Sequence, residues 1–332
     1  MSPARSSASP LAMSLLLLAL GAALCVLGTA VGSMGWEPLW GAPGDTASAI
    51  LWDIRIPRTL GAWLAGGLLG LAGAVAQGLF RNPLADPYLL GSATGAALGV
   101  ALLLVLIGVS PVEASGWMAR IGLTGAGFAG AVLAVIVTLG LARGVQHTLR
   151  LLLAGVVVGM VFGAFASLVM YREPDIIPAM QSFLLGTTGF LGGTSAWLLA
   201  AVLVPSLAAG LVLSRALDAM SLGETTAASL GVALTPVRVV LIGVMALATG
   251  AAVAQVGLIA FIGLVAPHLV RAAVKPTHRW LLPLSAMTGG TLLLAADVLA
   301  RWMLAPQELP VGVLTAVLGG GYLLWLMHRR PL

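Results

Sequence analysis

Charged residues are scarce in this chain of 332 residues. Asp, Glu, Lys and Arg make up 8% of it, hydrophobic residues make up 60%, and the mean hydropathy is +1.07. A composition of this kind excludes a soluble domain of any size and indicates a protein whose main solvent is lipid. The net charge of +5 does not indicate a nucleic-acid partner, because in a membrane protein the distribution of Lys and Arg matters more than their sum.

Cysteine and lysine each occur once, as Cys25 and Lys275. A single cysteine excludes a disulfide framework, and its place in an apolar run predicts a buried, inert thiol. A phosphate-binding Gly-x-x-x-x-Gly-Lys loop is excluded, because no glycine directly precedes the only lysine. If ATP drives this protein, ATP and Mg²⁺ are bound by another chain, and this chain carries no cofactor.

No group of side chains in the sequence has the pattern of a catalytic site, so the chain is not predicted to be an enzyme. The histidines also lack the spacing of metal ligands, and no metal site is predicted. They are expected at helix ends: His147, His268, His278 and His328.

Long apolar segments recur along the whole chain. About 20 helical residues cross the hydrocarbon core of a bilayer, so the sequence predicts one all-α, polytopic membrane domain over residues 1–332 with about ten helices. The first is expected to be an uncleaved anchor. The predicted helices lie near 11–32, 58–79, 89–109, 119–141, 149–170, 192–214, 236–255, 258–270, 281–302 and 311–328. The segment 258–270 is too short to cross unaided, and a tight turn is expected before it.

Two short stretches suggest that the ten helices form two inverted halves. Residues 73–79 read Gly-Ala-Val-Ala-Gln-Gly-Leu, and residues 252–258 read Ala-Val-Ala-Gln-Val-Gly-Leu. Five helices per half would make the second copy run in the opposite direction, as in transporters whose halves rock against each other. Coincidence between Ala-rich stretches is the alternative.

Lys and Arg are unevenly divided between the two sides of the membrane. With the amino terminus in the cytoplasm, eleven of the 16 basic residues lie inside. The remaining five lie outside: Arg55, Arg58, Arg120, Arg172 and Arg301. The positive-inside rule therefore predicts that both termini are cytoplasmic.

Three ordered motifs carry a resemblance to a known family. The first combines Arg-Ile-Pro-Arg at 55–58, a Gly- and Ala-rich span that ends in Gln77, and Arg-Asn-Pro-Leu-Ala-Asp-Pro at 81–87. The second is the run from Gly257 to Arg271, and the third joins Ala-Asp at 296–297 to Leu-Pro-Val-Gly at 309–312. Together they resemble the permease subunits of bacterial ABC importers for iron chelates, haem and cobalamin. In that pattern the structural positions are Gln77, Asn82, Pro83, Asp86, Pro87, Pro267, His268 and Asp297.

The resemblance implies a homodimer in the inner membrane that works with two cytoplasmic ATP-binding subunits and one periplasmic substrate-binding protein. It implies import of an iron compound, haem or a ferric siderophore, with cobalamin as the alternative cargo. A rival from another class is an ion-coupled secondary transporter with Asp297 as its proton carrier. A non-transporting receptor or scaffold is a third possibility. The chain departs from the family at 319–322, where Gly-Gly-Gly-Tyr stands in place of Gly-x-Pro-aromatic.

Arg55, Arg58 and Arg301 are the candidate docking residues for the binding protein. The resemblance implies that they receive carboxylates of that partner, which guanidinium groups bind in bidentate geometry. A structural role is the alternative. In that case Arg58 extends to the lipid headgroups, Arg55 pairs with Asp53, and Arg301 pairs with Asp297 one helical turn away.

The polar segment 215–235 is the candidate site for coupling to the ATPase. It is too polar to span a membrane, and its glycines divide it into what are predicted to be two short helices. The resemblance places coupling helices here, whereas an amphipathic connector on the headgroups is the alternative. The predicted contact residues are Leu222, Gly223, Glu224, Ala227, Ala228, Leu230 and Gly231.

The segment 149–170 is the candidate translocation helix, because the family lines its central channel with the corresponding helix. It is rich in Gly, Ala and Val, and its larger residues are the expected lining: Met160, Phe162, Phe165 and Met170. Gln77 and Gln255 are expected to form hydrogen bonds between helices rather than to contact cargo.

Overall fold

The computed structural model describes residues 9–32, 35–38, 40, 44–107, 117–142, 144–145 and 148–329. Three of the basic residues counted on the cytoplasmic side, Arg5, Arg143 and Arg330, lie outside these ranges, as does His147. The described helices are α1 (Pro10–Ala30), α2 (Asp45–Ala49), α3 (Ile56–Leu79), α4 (Ser92–Ile107), α5 (Trp117–Leu141), α6 (Thr148–Arg172), α7 (Ile177–Leu185), α8 (Gly193–Val212), α9 (Ser214–Ser221), α10 (Glu224–Ser229), α11 (Leu234–Val256), α12 (Ile262–Ala273), α13 (His278–Trp302) and α14 (Val311–Arg329).

Eight helical spans in the described part of the chain are long and apolar enough to cross a membrane. One of them, Asp45–Leu79, is continuous through α2, a π-helical turn at Ile50–Arg55 and α3. Two shorter apolar helices, α4 and α12, bring the total to ten. The predicted all-α membrane fold is therefore confirmed. Beside it, the described residues form one two-residue antiparallel ladder, β1 (Val31–Gly32) with β2 (Gly35–Trp36).

The helix α3 lies in the middle of the bundle and is buried along most of its length. Its glycines bring it against the backbone of α13. A Cβ atom at Gly66 would lie 2.3 Å from the carbonyl oxygen of Gly289, and one at Gly70 would lie 2.2 Å from that of Ser285. Glycine is needed at both positions, because lipid supplies no hydrophobic drive and association depends on close packing.

Helix ends differ from the predicted ones where polar turns interrupt the apolar runs. The predicted segment 89–109 begins as α-helix at Ser92, because a 3₁₀ turn at Pro87–Leu90 and Gly91, with a φ of +80°, precede it. The predicted segment 258–270 begins at Ile262, after the expected tight turn at Gly257, where φ is +70°. The short helix α7 was not predicted, since nine residues are too few to give a spanning signal.

Exposed tryptophans lie near both ends of the bundle. Such residues favour the boundary between lipid and water, because the ring is apolar and its N–H needs a partner. Trp36, Trp40, Trp52 and Trp302 lie at the end where α3 begins, and Trp280 and Trp325 lie at the opposite end. The end where α3 begins holds Arg55, Arg58 and Arg301, and we call it the arginine end. The opposite end holds α9 and α10, and we call it the loop end. Cys25 is half-buried in α1 and packs against the core.

Candidate functional site

A buried cluster of charges joins α3 and α13 at the arginine end. Asp297 is completely buried, with its Oδ1 3.0 Å from Nη2 of Arg58 and its Oδ2 2.7 Å from Nη2 of Arg301. The hydroxyl of Thr188 donates a further hydrogen bond to Oδ1. Nη2 of Arg58 also lies 2.8 Å from Oε2 of Glu308. Two guanidinium groups therefore face two carboxylates, and the cluster is electrically balanced.

Arg301 extends this cluster to the end of α1. Its Nη1 donates to the carbonyl oxygens of Gly28, at 2.8 Å, and Val31, at 2.7 Å. The residue is only 1% exposed. Its predicted pairing with Asp297 along the helix is thus present, and the rest of its guanidinium holds the backbone of a neighbouring element.

Arg55 forms a separate contact beside the cluster. Its Nη2 lies 3.0 Å from Oε2 of Glu37, and its Nη1 donates to the carbonyl oxygen of Thr29 at 3.1 Å. The pairing with Asp53, which belonged to the structural alternative, is therefore wrong. Arg55 is 7% exposed, and Arg58, whose side chain is 11% exposed, is bound by carboxylates instead of reaching freely to headgroups. Docking through these arginines stays a prediction.

The segment 215–235 folds into the two short helices α9 and α10, separated by Gly223 with a φ of +115°. Leu222 and Leu230 are 68% and 64% exposed, and Ala228 and Gly231 are exposed beside them. Ala227 is buried against the bundle. Of the predicted contact residues, Leu222, Ala228, Leu230 and Gly231 therefore form an exposed, largely apolar surface, and Ala227 is not part of it.

Glu224 contacts arginines of the transmembrane core instead of contributing to this exposed face. Its Oε1 accepts from Nη2 of Arg81 at 3.2 Å and lies 2.6 Å from Nη2 of Arg238. These two contacts fix the start of α10 to the end of α3 and to α11. The loop and the transmembrane core are therefore mechanically connected.

The candidate translocation helix α6 lies on the outside of the single chain. Met160 and Phe165 are 70% and 53% exposed, whereas Phe162 and Met170 are half-buried. A cavity of about 310 Å³ lies where α6 meets the segment after α3, and its lining includes Asp86, Gly155 and Gly159. An apolar helix face of this kind needs lipid or a second chain to cover it.

The motif after α3 builds a compact connection. The side chains of Asn82 and Asp86 accept from the backbone N–H groups of Leu84 and Tyr88, at 2.9 and 2.8 Å. Burial raises the pKa of Asp86 to about 6. Pro87 is buried and packs closely against Gly263, because a Cβ atom on that glycine would lie 2.6 Å from the proline ring. Pro83 is exposed.

The motif glutamines form the expected hydrogen bonds between helices. Nε2 of Gln77 donates to the carbonyl oxygen of Leu264 at 3.2 Å, and Nε2 of Gln255 donates to Oγ1 of Thr124 at 3.2 Å. In the second motif, Pro267 is buried inside α12 and His268 contacts the ring of Tyr322 edge-on at 5.9 Å.

Several residues that bind the charged side chains at the arginine end could not be identified from the sequence. Glu37, Thr188 and Glu308 lie in or beside loops, and nothing in their spacing indicates which arginine or carboxylate they meet. Within the described ranges, no three His, Cys, Asp or Glu side chains lie close enough together to hold a metal ion.

In the described part of the chain, ten apolar helices packed through glycine, with charged clusters at the helix ends and an exposed two-helix loop, define a polytopic membrane protein. A sequence model of the FecCD transport family matches residues 14–329. The chain therefore belongs to the FecCD transport family, and it is a permease subunit of an ABC importer. The predicted resemblance is confirmed.

Proteins with similar sequences or structures match this chain over most of its length. The chain is 40% identical over 321 residues to the hemin transport system permease protein HmuU of Yersinia pestis, covering 95% of this chain and 93% of that one. It is 40% identical over 295 residues to the vitamin B12 import system permease protein BtuC of Salmonella typhimurium, covering 87% and 88%. A solved structure described as an inward-facing conformation of a metal-chelate type ABC transporter has a TM-score of 0.83, 27% identity, and coverage of 95% and 98%.

Proposed function

We propose that this chain forms the membrane pathway of an ATP-driven importer for an iron compound, haem or a ferric siderophore. The observation that carries the proposal is the 40% identity to a hemin permease over 95% of the chain. Cobalamin is the second candidate cargo, because the vitamin B12 permeases reach the same identity over 87% of the chain. The complex contains two copies of this chain, two ATPase subunits that bind ATP and Mg²⁺, and one periplasmic binding protein. It lies in the bacterial inner membrane with both termini in the cytoplasm.

The translocation path lies between the two copies, along α6. Support comes from the exposed apolar side chains of Met160 and Phe165, which a second chain would cover while leaving a weakly binding surface for cargo. A path that must release a bulky cargo is best lined by such side chains, since strong polar contacts would retain it.

The exposed face of α9 and α10 docks the ATPase. Leu222 and Leu230 supply an apolar surface, and the ion pairs of Glu224 to Arg81 and Arg238 transmit movement of the loop to α3 and α11. Leu222→Asp should abolish copurification of the ATPase, whereas the conservative Leu222→Met should preserve it. Equal copurification with both variants would remove this surface from the proposal.

The arginine end docks the binding protein. The arginines that lie nearest the surface, Arg55 and Arg58, are each covered by an own-chain carboxylate, Glu37 or Glu308, whose side chains are 44% and 28% exposed. Carboxylates of the partner replace these two, while Arg301 holds the cluster together from inside. Arg58→Glu should therefore weaken docking, and Glu308→Gln should preserve or strengthen it. Unchanged docking of Arg58→Glu would contradict this role.

Transport is tested in proteoliposomes that hold the permease with its ATPase. The binding protein is loaded in turn with haem, a ferric siderophore or cobalamin, and uptake is measured with and without ATP. Uptake of one cargo that requires ATP is the expected result. Equal uptake without nucleotide would overturn the proposed mechanism, and uptake of cobalamin alone would replace the proposed cargo.

A further inference from the structure

A second cavity, of about 460 Å³, opens at the loop end of the bundle. It lies between the end of α3, the helix α9 and the turn that joins α12 to α13. The charged and titratable side chains that line it are Arg81, Asp218, Arg271, Lys275 and His278. None of these residues belongs to the exposed face of Leu222 and Leu230 or to the charge cluster at the arginine end.

Asp218 is the acidic residue of this lining, and its carboxylate is already paired. Oδ1 of Asp218 accepts from the backbone N–H of His278 at 3.0 Å and lies 2.6 Å from its Nδ1, so it caps the start of α13. Glu224, outside the lining, pairs with the lining residue Arg81 and with Arg238. The lining therefore keeps an excess of positive charge, and the ammonium of Lys275, an exposed residue, pairs with no carboxylate among the described residues.

Arg271 adds a donor that lacks an acceptor. Its Nη2 donates to Oε1 of Gln77, which fixes the plane of the guanidinium. Its Nη1 is buried and forms no hydrogen bond with any described residue. A buried, charged N–H group without an acceptor is costly. Arg271 and Lys275 line the same cavity, so an anion bound there would offer an acceptor to the guanidinium and a counter-charge to the ammonium.

We propose that this cavity is a binding site for a phosphate group, held by Arg271 and Lys275. Guanidinium and ammonium groups are the donors that proteins use for phosphoryl oxygens, and both line this cavity. Basic pockets between membrane helices at the cytoplasmic side also bind anionic lipid headgroups. The phosphate belongs either to the headgroup of an anionic phospholipid or to a soluble phosphate compound. Because Asp218 and Ser221 of α9 line the same cavity, occupancy would stabilise the position of the coupling segment.

The two sources are separated by two measurements on the full-length protein. Native mass spectrometry after release from nanodiscs of phosphatidylglycerol and phosphatidylcholine counts the retained lipids. Thermal unfolding in detergent, titrated with inorganic phosphate against chloride at equal ionic strength, detects the soluble anion. Preferential retention of phosphatidylglycerol assigns a lipid headgroup, and stabilisation by phosphate alone assigns a soluble ligand.

Lys275→Gln is the decisive variant, because the Lys275 side chain forms no hydrogen bond or ion pair with another described residue. It should weaken binding about tenfold, as expected for the loss of one charge-assisted contact. Arg271→Gln should weaken binding at least as much, although it also removes the contact to Gln77. Arg279→Gln is the matched control, since this exposed arginine lies next to His278 but outside the lining. Equal losses in Lys275→Gln and Arg279→Gln, or binding of neither probe by the unchanged protein, would overturn the proposal.

Discussion

Replacing Asp297 with asparagine removes the central negative charge of the buried cluster while preserving its shape. In the native protein its two oxygens lie 3.0 and 2.7 Å from guanidinium nitrogens, and the residues Asp297 and Arg301 are 0% and 1% exposed. Water therefore cannot replace the lost carboxylate. After the substitution, two buried cations would share one carboxylate, Glu308, at the rim. Breaking one partner of a buried ion pair costs about 3–5 kcal/mol.

The matched control for this substitution is Glu308→Gln. Its side chain is 28% exposed, so water compensates part of the lost charge and a cost of no more than about 1 kcal/mol is expected. Both variants are compared with the unchanged protein by equilibrium unfolding in mixed detergent micelles, followed by circular dichroism. If Asp297→Asn costs no more than Glu308→Gln, the argument from burial and charge balance is refuted.

The same variant separates the ABC mechanism from the ion-coupled alternative. A proton carrier must change its protonation state during transport, whereas a structural ion pair only has to keep its geometry. Asp297→Asn protein that folds should therefore still import cargo with ATP. Its rate per folded molecule should be near that of the unchanged protein. Folded variant that assembles with its ATPase but does not transport would contradict the purely structural role.

Three further predictions follow from the packing and the electrostatics. Gly73→Ala places a Cβ atom 1.7 Å from the backbone oxygen of Gly263 and should destabilise the protein by about 1–3 kcal/mol or more. The loss is measured as a lower yield and a lower melting temperature. Gly243→Ala is the control, because open space surrounds Gly243 and its stability should be nearly unchanged. Asp86 has a folded-state pKa of about 6, above its ordinary 3.8, so the folded protein binds more protons and loses stability as pH rises from about 4 to 6; Asp86→Asn should remove that decline in a series of melting temperatures. Thr188→Val removes a hydroxyl donor to the buried carboxylate and should cost about 1–2 kcal/mol in the unfolding assay.

The ten apolar helices, eight of them long enough to span a membrane, were predictable from the sequence, because lipid requires every backbone group to be satisfied within a helix. The glycines of α3 account for its close packing at the centre of the bundle, because they remove the side chains that would hold neighbouring backbones apart. The pairing of Arg301 with Asp297 followed from the helical period, since residues four apart share a face. The ordered motifs carried the family resemblance as well.

Contacts between distant segments were decided by the tertiary structure alone. Arg55 meets Glu37, 18 residues away, rather than its near neighbour Asp53, and Arg58 meets Asp297 across 239 residues. The helical period specifies neighbours on one helix, but partners on different helices depend on the packing angle and depth of each element. For the same reason the sequence could not show that Ala227 turns inward, or that Arg271 leaves a buried N–H without an acceptor.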